Sequence, residues 1–322
     1  MKLIVQIPCF NEENTLPQTI ADIPRNIDGI DTVEILIVDD GSTDKTIEVA
    51  KNLGIDHIIR HKSNRGLAKT FRTGLDACLK LGADIIVNTD GDNQYSGGDI
   101  PKLVRPILDK KADIVLGDRQ TDNIEHFSPI KKLLQKLGSH AVRVLSETDL
   151  PDAVSGFRAM SKEAALQINI VSSFSYTVEM IIQSGRKKLA IASVPISTNP
   201  KTRESRLFKS IPNFIERQLT SMIRMYAMYQ PLRFFFYISL FLTTIGALPI
   251  VRFLYLYFTA GGEGHIQSLV LGGVFVILGV VTFLIGLLAD LVSFNRQIGE
   301  FTLEKVRRME MENLISQKDY TK

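Results

Sequence analysis

Short apolar runs alternate with helix-like stretches through the first two thirds of the chain. Residues 3–7, 34–39, 57–60, 84–90 and 113–117 are β-rich, and a further apolar run covers 190–196. Runs of this kind separated by helical patterns predict βαβ units and a mainly parallel α/β sheet covered by helices. Ligands of such sheets bind beyond the carboxyl ends of the strands, so the polar residues that close each run are where chemistry is expected. Three of the runs close on acids or on the turn Pro8-Cys9-Phe10-Asn11-Glu12.

The pattern changes after about residue 206. Residues 207–230 read as an amphipathic helix, with Phe208, Ile211, Phe214, Ile215, Leu219 and Ile223 apolar and Lys209, Arg217 and Arg224 basic, as suits a helix lying in a membrane interface. Residues 234–251 and 268–289 are uncharged and strongly apolar, each long enough to cross about 30 Å of hydrocarbon. Neither carries the polar stripe of a soluble helix. Arg252 and Asp290 fall where these runs end and can reach headgroups. The glycine-rich linker 260–267 has no Lys or Arg, whereas Arg217, Arg224 and Arg233 precede the pair and Arg296, Lys305, Arg307 and Arg308 follow it. The positive-inside rule then puts both termini in the cytosol and the linker outside. The expected organisation is a catalytic domain over 1–206, a juxtamembrane helix over 207–230, a two-helix transmembrane hairpin over 231–295 and a charged cytosolic tail over 296–322.

Composition adds little. A formal charge of +3 over 322 residues and a pI near 8.7 are too mild to argue for nucleic acid, though they suit anionic headgroups. Cys9 and Cys78 show no metal-ligand spacing and read as small buried hydrophobes. The chain enters an apolar run at once with no cleavage site, which places the first domain in the cytosol at the inner membrane. His57, His61, His126, His140 and His265 show no ligand spacing and read as structural or surface residues.

Two strand ends carry candidate chemistry. Asp90-Gly91-Asp92 follows the run 84–89, with Gln94 two residues on. Two carboxylates there can hold a divalent cation while a diphosphate fills its remaining positions, and that ion would stabilise the leaving diphosphate as a sugar–phosphate bond breaks. Asp39-Asp40-Gly41-Ser42-Thr43-Asp44 also follows a strand. Helix entry accounts for Ser42 and Asp44, whereas the two strand-end carboxylates suit a ribose or base with hydroxyl and N–H donors. No GxGxxG follows either strand, which disfavours a dinucleotide.

Taken in order, Pro8-Cys9-Phe10-Asn11-Glu12, Val38-Asp39-Asp40-Gly41-Ser42-Thr43-Asp44, Asn64-Arg65-Gly66 and Asp90-Gly91-Asp92-Asn93-Gln94 resemble the signature set of family 2 glycosyltransferases, whose fold is the Rossmann-like GT-A. Asp152-Ala153-Val154-Ser155-Gly156-Phe157-Arg158 and the two apolar spans resemble, within that family, the dolichyl- or polyprenyl-phosphate sugar synthases. The resemblance implies transfer of a hexose or N-acetylhexosamine from a UDP- or GDP-sugar to undecaprenyl or dolichyl phosphate, with Mg²⁺ or Mn²⁺ as cofactor. Another glycan or glycolipid acceptor is the alternative, and homo-oligomerisation is left open. By the same resemblance Pro8, Phe10, Glu12, Asp39, Asp40, Arg65, Asp90 and Asp92 hold the nucleotide sugar. Asp90, Asp92 and Gln94 hold the metal, and Arg119 lies near the phosphates, with Asp92, Asp152 and Arg119 as catalytic residues. Asp152 is expected to orient or deprotonate the acceptor phosphate, with a loop or capping acid as the bland alternative. Glu179 is a candidate for the sugar pocket or a solvated helix acid. Arg203 and Arg206, between the last catalytic strand and the amphipathic helix, are expected to receive the carrier phosphate, which arginine's planar fork binds through two oxygens. Phe10 stands where the family usually has Tyr, and the family's Gly-x-Ser-Lys segment reads Arg203-Glu204-Ser205-Arg206 here. A processive polysaccharide synthase is disfavoured by the absence of tryptophan, and a non-catalytic scaffold by the retention of every acid in the set.

Overall fold

The computed structural model describes residues 1–120, 143, 146, 155–171, 176–200, 216, 220, 223–260 and 266–320. Asp152, Arg203, Arg206 and most of 207–230 lie outside the described residues. The elements are β1 (Lys2–Cys9), α1 (Leu16–Ala21), β2 (Thr32–Asp39), α2 (Thr46–Asn52), β3 (His57–Arg60), α3 (Leu67–Lys80), β4 (Ile85–Asn88), α4 (Ile100–Leu108), β5 (Ile114–Asp118), β6 (Arg158–Ser161), α5 (Lys162–Gln167), α6 (Tyr176–Arg186), β7 (Ile191–Pro195), α7 (Pro231–Ala260) and α8 (Ile266–Tyr320).

Seven strands form one sheet in the order β3-β2-β1-β4-β6-β5-β7. All pairings are parallel except those of β6, which is antiparallel to both β4 and β5. Both faces are covered, which is why β1 and β2 read as nearly unbroken Val/Ile/Leu runs rather than alternating ones. On one face α3 buries Ala68, Phe71, Leu75, Cys78 and Leu79 at helical spacing. Gly74 lets it close on the sheet, since a Cβ there would lie 2.6 Å from Gln6 Oε1.

Strand β6 escapes the sequence reading. It has four residues and opens on an arginine that is completely buried, the opposite of an apolar run. Its insertion separates β4 from β5, consecutive in the predicted order, and its start carries the Ser155–Phe157 segment to the sheet edge.

Register decides what meets at that edge. Cys9 pairs with Asp39, Gln6 with Asn88 and Asp39 with Arg60. The loops leaving β1, β2, β3 and β4 therefore emerge side by side.

Two compact units divide the chain. One comprises Met1–Ser221 with Thr302–Lys322, the other Met222–Phe301. The expected boundary at 295/296 falls within helix α8 (Ile266–Tyr320). The segment expected as a charged tail is helical, and from Thr302 it belongs to the sheet-bearing unit. There Arg307 donates to Ile168 O at 2.8 Å and pairs with Asp76 at 2.9 Å. Arg308 pairs with Glu163 at 2.7 Å, and Met311 is buried. In the other unit α7 and part of α8 are long and apolar enough to cross a membrane. Their backbones meet at Gly246 and Gly272, where a Cβ on Gly272 would lie 2.6 Å from Gly246 O.

Candidate active site

The β1 and β2 loops are laced together. Asn11 N–H donates to Ser42 Oγ at 2.8 Å, Thr43 N–H to Asn11 Oδ1 at 2.9 Å, and Glu12 N–H to Thr46 Oγ1 at 2.8 Å. Asn11 takes a left-handed backbone, φ +56°, which an asparagine tolerates better than most residues. Glu12 is buried, with the Thr15 hydroxyl 2.9 Å from its Oε2 and 2.8 Å from Gly91 O. The β4 loop thus leans on the β1 loop. Gly91 permits this, since a Cβ there would come within 3.0 Å of Cys9 Sγ and 3.3 Å of Glu12 Cγ.

Asp90 and Asp92 are both half-buried at the end of β4. Burial first, and the neighbouring charge of Asp92 second, push the Asp90 carboxyl up to about 7, while Arg119 at the end of β5 pulls the other way. Asp92 Oδ1 accepts the Gln94 N–H at 3.2 Å. Asn93 Oδ1, next in the chain, is a buried acceptor with no hydrogen-bond partner. An oxygen-rich turn whose two carboxylates repel one another fits a hard divalent cation, which would cancel that repulsion. Among the described residues no group of three His, Cys, Asp or Glu is arranged to hold an ion.

Beneath Asp90 lies a hydrogen-bonded polar wall. Gln6 Nε2 donates to Asn88 Oδ1 at 2.9 Å, and Asn88 Nδ2 donates to Gly156 O at 2.9 Å, with Tyr176 Oη 3.2 Å away. Gly156 N–H donates to Tyr95 Oη at 3.1 Å, and Gly117 N–H to Phe157 O at 2.9 Å. Arg158 donates to Ser155 O through Nε at 2.8 Å and Nη2 at 2.6 Å, and through Nη1 to Thr177 O at 3.0 Å. Tyr176 stacks on Phe71 at 4.2 Å and Tyr95 on Phe157 at 5.2 Å. Gly156 is where this wall touches the acid: a Cβ would lie 3.1 and 3.3 Å from the Asp90 carboxylate oxygens.

The residues that chain order marks as candidates therefore converge in part. Pro8, Glu12, Asp90 and Asp92 share one edge, and the charge of Arg119 reaches Asp90. Asp39 is buried, accepts the Ser42 N–H at 3.2 and 3.3 Å and pairs with the exposed Arg60 at 3.4 Å. Phe10 is half-buried, and Arg65 is exposed on the loop that Asp40 holds. Glu179 is completely buried, with Val171 N–H donating to it at 3.2 Å, rather than solvated.

Comparison with known proteins agrees with this geometry. The glycosyl transferase family 2 profile matches residues 4–168, about half of the chain. The chain belongs to glycosyl transferase family 2. This glycosyltransferase is 31% identical over 214 residues to the UDP-N-acetylglucosamine–dolichyl-phosphate N-acetylglucosaminyltransferase of Methanococcus voltae, covering 60% of this chain and 83% of that one. It is 30% identical over 217 residues to the dolichol-phosphate mannosyltransferase of Pyrococcus furiosus, covering 64% of this chain and 59% of the relative. Its fold is that of glucosyl-3-phosphoglycerate synthase from Mycobacterium tuberculosis, solved with Mn²⁺, UDP and glucosyl-3-phosphoglycerate, at a TM-score of 0.52 and 21% identity over 69% of this chain and 79% of that one. The same synthase has also been solved with Mg²⁺ and UDP. The glycosyltransferase thus has the expected GT-A architecture, followed by two candidate membrane spans.

Sequence reading missed the wall: Asn88, Tyr95, Gly156, Arg158 and Tyr176 carry no strand-end acid signature. Only the Ser155-Gly156-Phe157-Arg158 string pointed toward it.

Proposed function

We propose that this glycosyltransferase moves a hexose or N-acetylhexosamine from a UDP- or GDP-sugar onto a polyprenyl phosphate, undecaprenyl or dolichyl, at the cytoplasmic face of a membrane. The observation that carries the reading is the pair of carboxylates at the end of β4, held against each other on a polar wall at the edge where α/β sheets bind ligands. The two apolar helices and the lipid-phosphate acceptors named for two relatives support a lipid acceptor.

In this reading Asp90, Asp92 and Gln94 hold Mg²⁺ or Mn²⁺ beside the diphosphate. Bound there, the ion would neutralise charge on the leaving nucleoside diphosphate. Pro8, Phe10, Glu12, Asp39, Asp40 and Arg65 line the nucleotide, with Arg119 beside the phosphates. The bond between the anomeric carbon and the diphosphate oxygen breaks, and a carrier-phosphate oxygen forms the new bond to that carbon. The attacking oxygen is already anionic near neutral pH, so Asp152 orients it more than it deprotonates it. Arg203 and Arg206 receive the carrier phosphate.

The test uses the full chain in vesicles containing undecaprenyl or dolichyl phosphate, with Mg²⁺ or Mn²⁺ and radiolabelled UDP-glucose, UDP-N-acetylglucosamine or GDP-mannose. Label is expected in a lipid-extractable product from one donor. Asp92→Ala should lose on the order of 10³ in turnover. Near wild-type turnover in that variant at saturating metal would remove the ion assignment, and absence of any lipid-linked product would remove the acceptor.

A further inference from the structure

The chain that leaves β7 does not stay with its neighbour in the sheet. Ile196 N–H still donates to Asp118 O at 3.0 Å, which prolongs the pairing with β5 as far as the base of Arg119. The buried Ile196 side chain closes over Gly117, where a Cβ would lie 2.8 Å from its Cδ1. From Ser197 the backbone turns to the loop after β4, although β6 and β5 stand between β4 and β7 in the sheet. Ser197 N–H donates to Asp99 Oδ2 at 2.5 Å, and Ser96 N–H to Ser197 O at 3.4 Å. Thr198 and Tyr95 form an antiparallel bridge. Asn199 then bonds twice to the acidic turn itself: its N–H donates to Gln94 O at 3.0 Å and its Nδ2 to Asn93 O at 3.1 Å.

Residues 197–199 thus form a strap across the turn that carries Asp92 and Gln94. The strap is anchored at Asp99, which is buried and also pairs with Lys102 at 2.6 Å. The other side of the loop backs onto α1, since a Cβ on Gly97 would lie 2.6 Å from Asp22 O. Asn93 takes a left-handed backbone at φ +56°, which a residue other than glycine keeps where its surroundings hold it, and the Asn199 amide holds the carbonyl of that residue. Pro200 disfavours a helical backbone at Asn199 and so favours the extended strap. Gln94 N–H donates to Asp92 Oδ1 at 3.2 Å while Gln94 O accepts from Asn199. The peptide units on both sides of Gln94 are therefore tied, and its side chain leaves a fixed backbone.

We propose that Asn199 is a positioning residue for the ion site: by holding the carbonyls of Asn93 and Gln94 it sets the Asp92–Gln94 half of the turn in the geometry that takes a divalent cation. The inference rests on the reading that Asp90, Asp92 and Gln94 hold that ion. A turn left loose must be ordered as the ion binds, and the cost appears as weaker apparent affinity.

Mn²⁺ titration of the full chain in detergent, followed by electron paramagnetic resonance with no sugar nucleotide present, tests it. Asn199→Leu, which keeps the bulk and loses the donor, should weaken Mn²⁺ binding about fivefold. Asn199→His, whose Nδ1–H can stand where Nδ2 does, should recover it to within about twofold. Transfer by Asn199→Leu should fall at limiting Mn²⁺ and return to within about twofold of wild type at saturating Mn²⁺, because the residue acts on the ion site and not on the reacting atoms. Should Asn199→Leu fail to fold, Asn199→Ser, too short to reach Asn93 O, takes its place with the same expected shift. Wild-type Mn²⁺ affinity in whichever variant folds would overturn the proposal. So would turnover that stays low at saturating Mn²⁺, since that places Asn199 among the catalytic groups. The affinity measurement needs no transfer and stands whether or not the acceptor reading does. If the wild-type protein binds no Mn²⁺, the ion reading fails, and hydrogen–deuterium exchange decides whether Asn199 holds the turn: the amides of residues 197 and 199 should exchange about fivefold faster in the variant, and unchanged exchange would overturn the strap as well.

Discussion

In the sheet-bearing unit Leu3, Ile4, Ile35 and Ile85 are completely buried, and with them Asp39, Arg158 and Glu179. Between Met222 and Phe301 the large side chains point the other way. Phe258 is 81% exposed, Val292 68% and Leu248 67%, and the close contacts are made by Gly246, Gly272 and the Ser239 hydroxyl, which donates to Gly279 O at 2.7 Å. The contrast reflects two solvents. Water drives apolar side chains inward, and the sheet can then hold charges only by surrounding them with partners. Hydrocarbon gives no such drive, so helices in it associate through close backbone approach at small residues. Tolerance to substitution should divide the same way: around Asp90 polar geometry is limiting, whereas in the helix pair only the glycine contacts are.

The largest expected break in that contrast is Gly156→Ala. One methyl placed 3.1 Å from the Asp90 carboxylate should cost about a hundredfold in kcat/KM while the melting temperature moves little. Wild-type kinetics in that variant would mean that the wall yields and does not fix the acid.

Next comes the pH response of the acid pair. The folded value of Asp90, about 7, lies above its ordinary value, so the ion-free folded state holds this proton more tightly than the unfolded chain does. That contribution to stability is complete below about pH 4 and is lost as the pH rises through about 7. Ion binding must expel the proton, so Mn²⁺ affinity should fall about tenfold for each pH unit below about 7. Mn²⁺ titration followed by electron paramagnetic resonance checks this, and a flat profile would show Asp90 ionised throughout.

Arg307→Ala sharpens the comparison from the C-terminal side. The guanidinium donates to the Ile168 carbonyl and pairs with Asp76, so its loss should destabilise the sheet-bearing unit by about 2 kcal/mol. A chain cut near residue 230 would lose this whole segment, so the cut protein is expected to melt earlier than the full chain. The smallest effect should come from Gly272→Ala, about 1 kcal/mol against the helix pair, with donor affinity unchanged. A loss of donor affinity there would contradict the division between the two units.

Much of this was legible before any coordinates. Six of the seven strands follow from apolar runs: β1, β2, β4 and β5 are buried on both faces and so nearly continuously apolar, while the edge strands β3 and β7 carry short apolar runs although they are only partly buried. The DxD turn, the Asp39-Asp40 pair and the two spans follow from residue type and position. What stayed hidden is held by contacts between residues distant in sequence. β6 begins with a buried arginine, which no hydropathy pattern marks as a strand, and the region from Thr302 reads as a charged tail because its arginines look solvated until Asp76, Glu163 and the Ile168 carbonyl are placed beside them.

Asp40 shows where the division falls. The sequence by itself determined that two carboxylates end β2, since strand, acids and glycine are consecutive. Which partners each of them meets was decided only when the β3 loop returned, bringing the His61 ring and the Arg65 and Gly66 amides to the Asp40 carboxylate. A hydrogen bond depends on distance and direction between groups 21 to 26 positions apart, and those are properties of the fold that residue order alone does not contain.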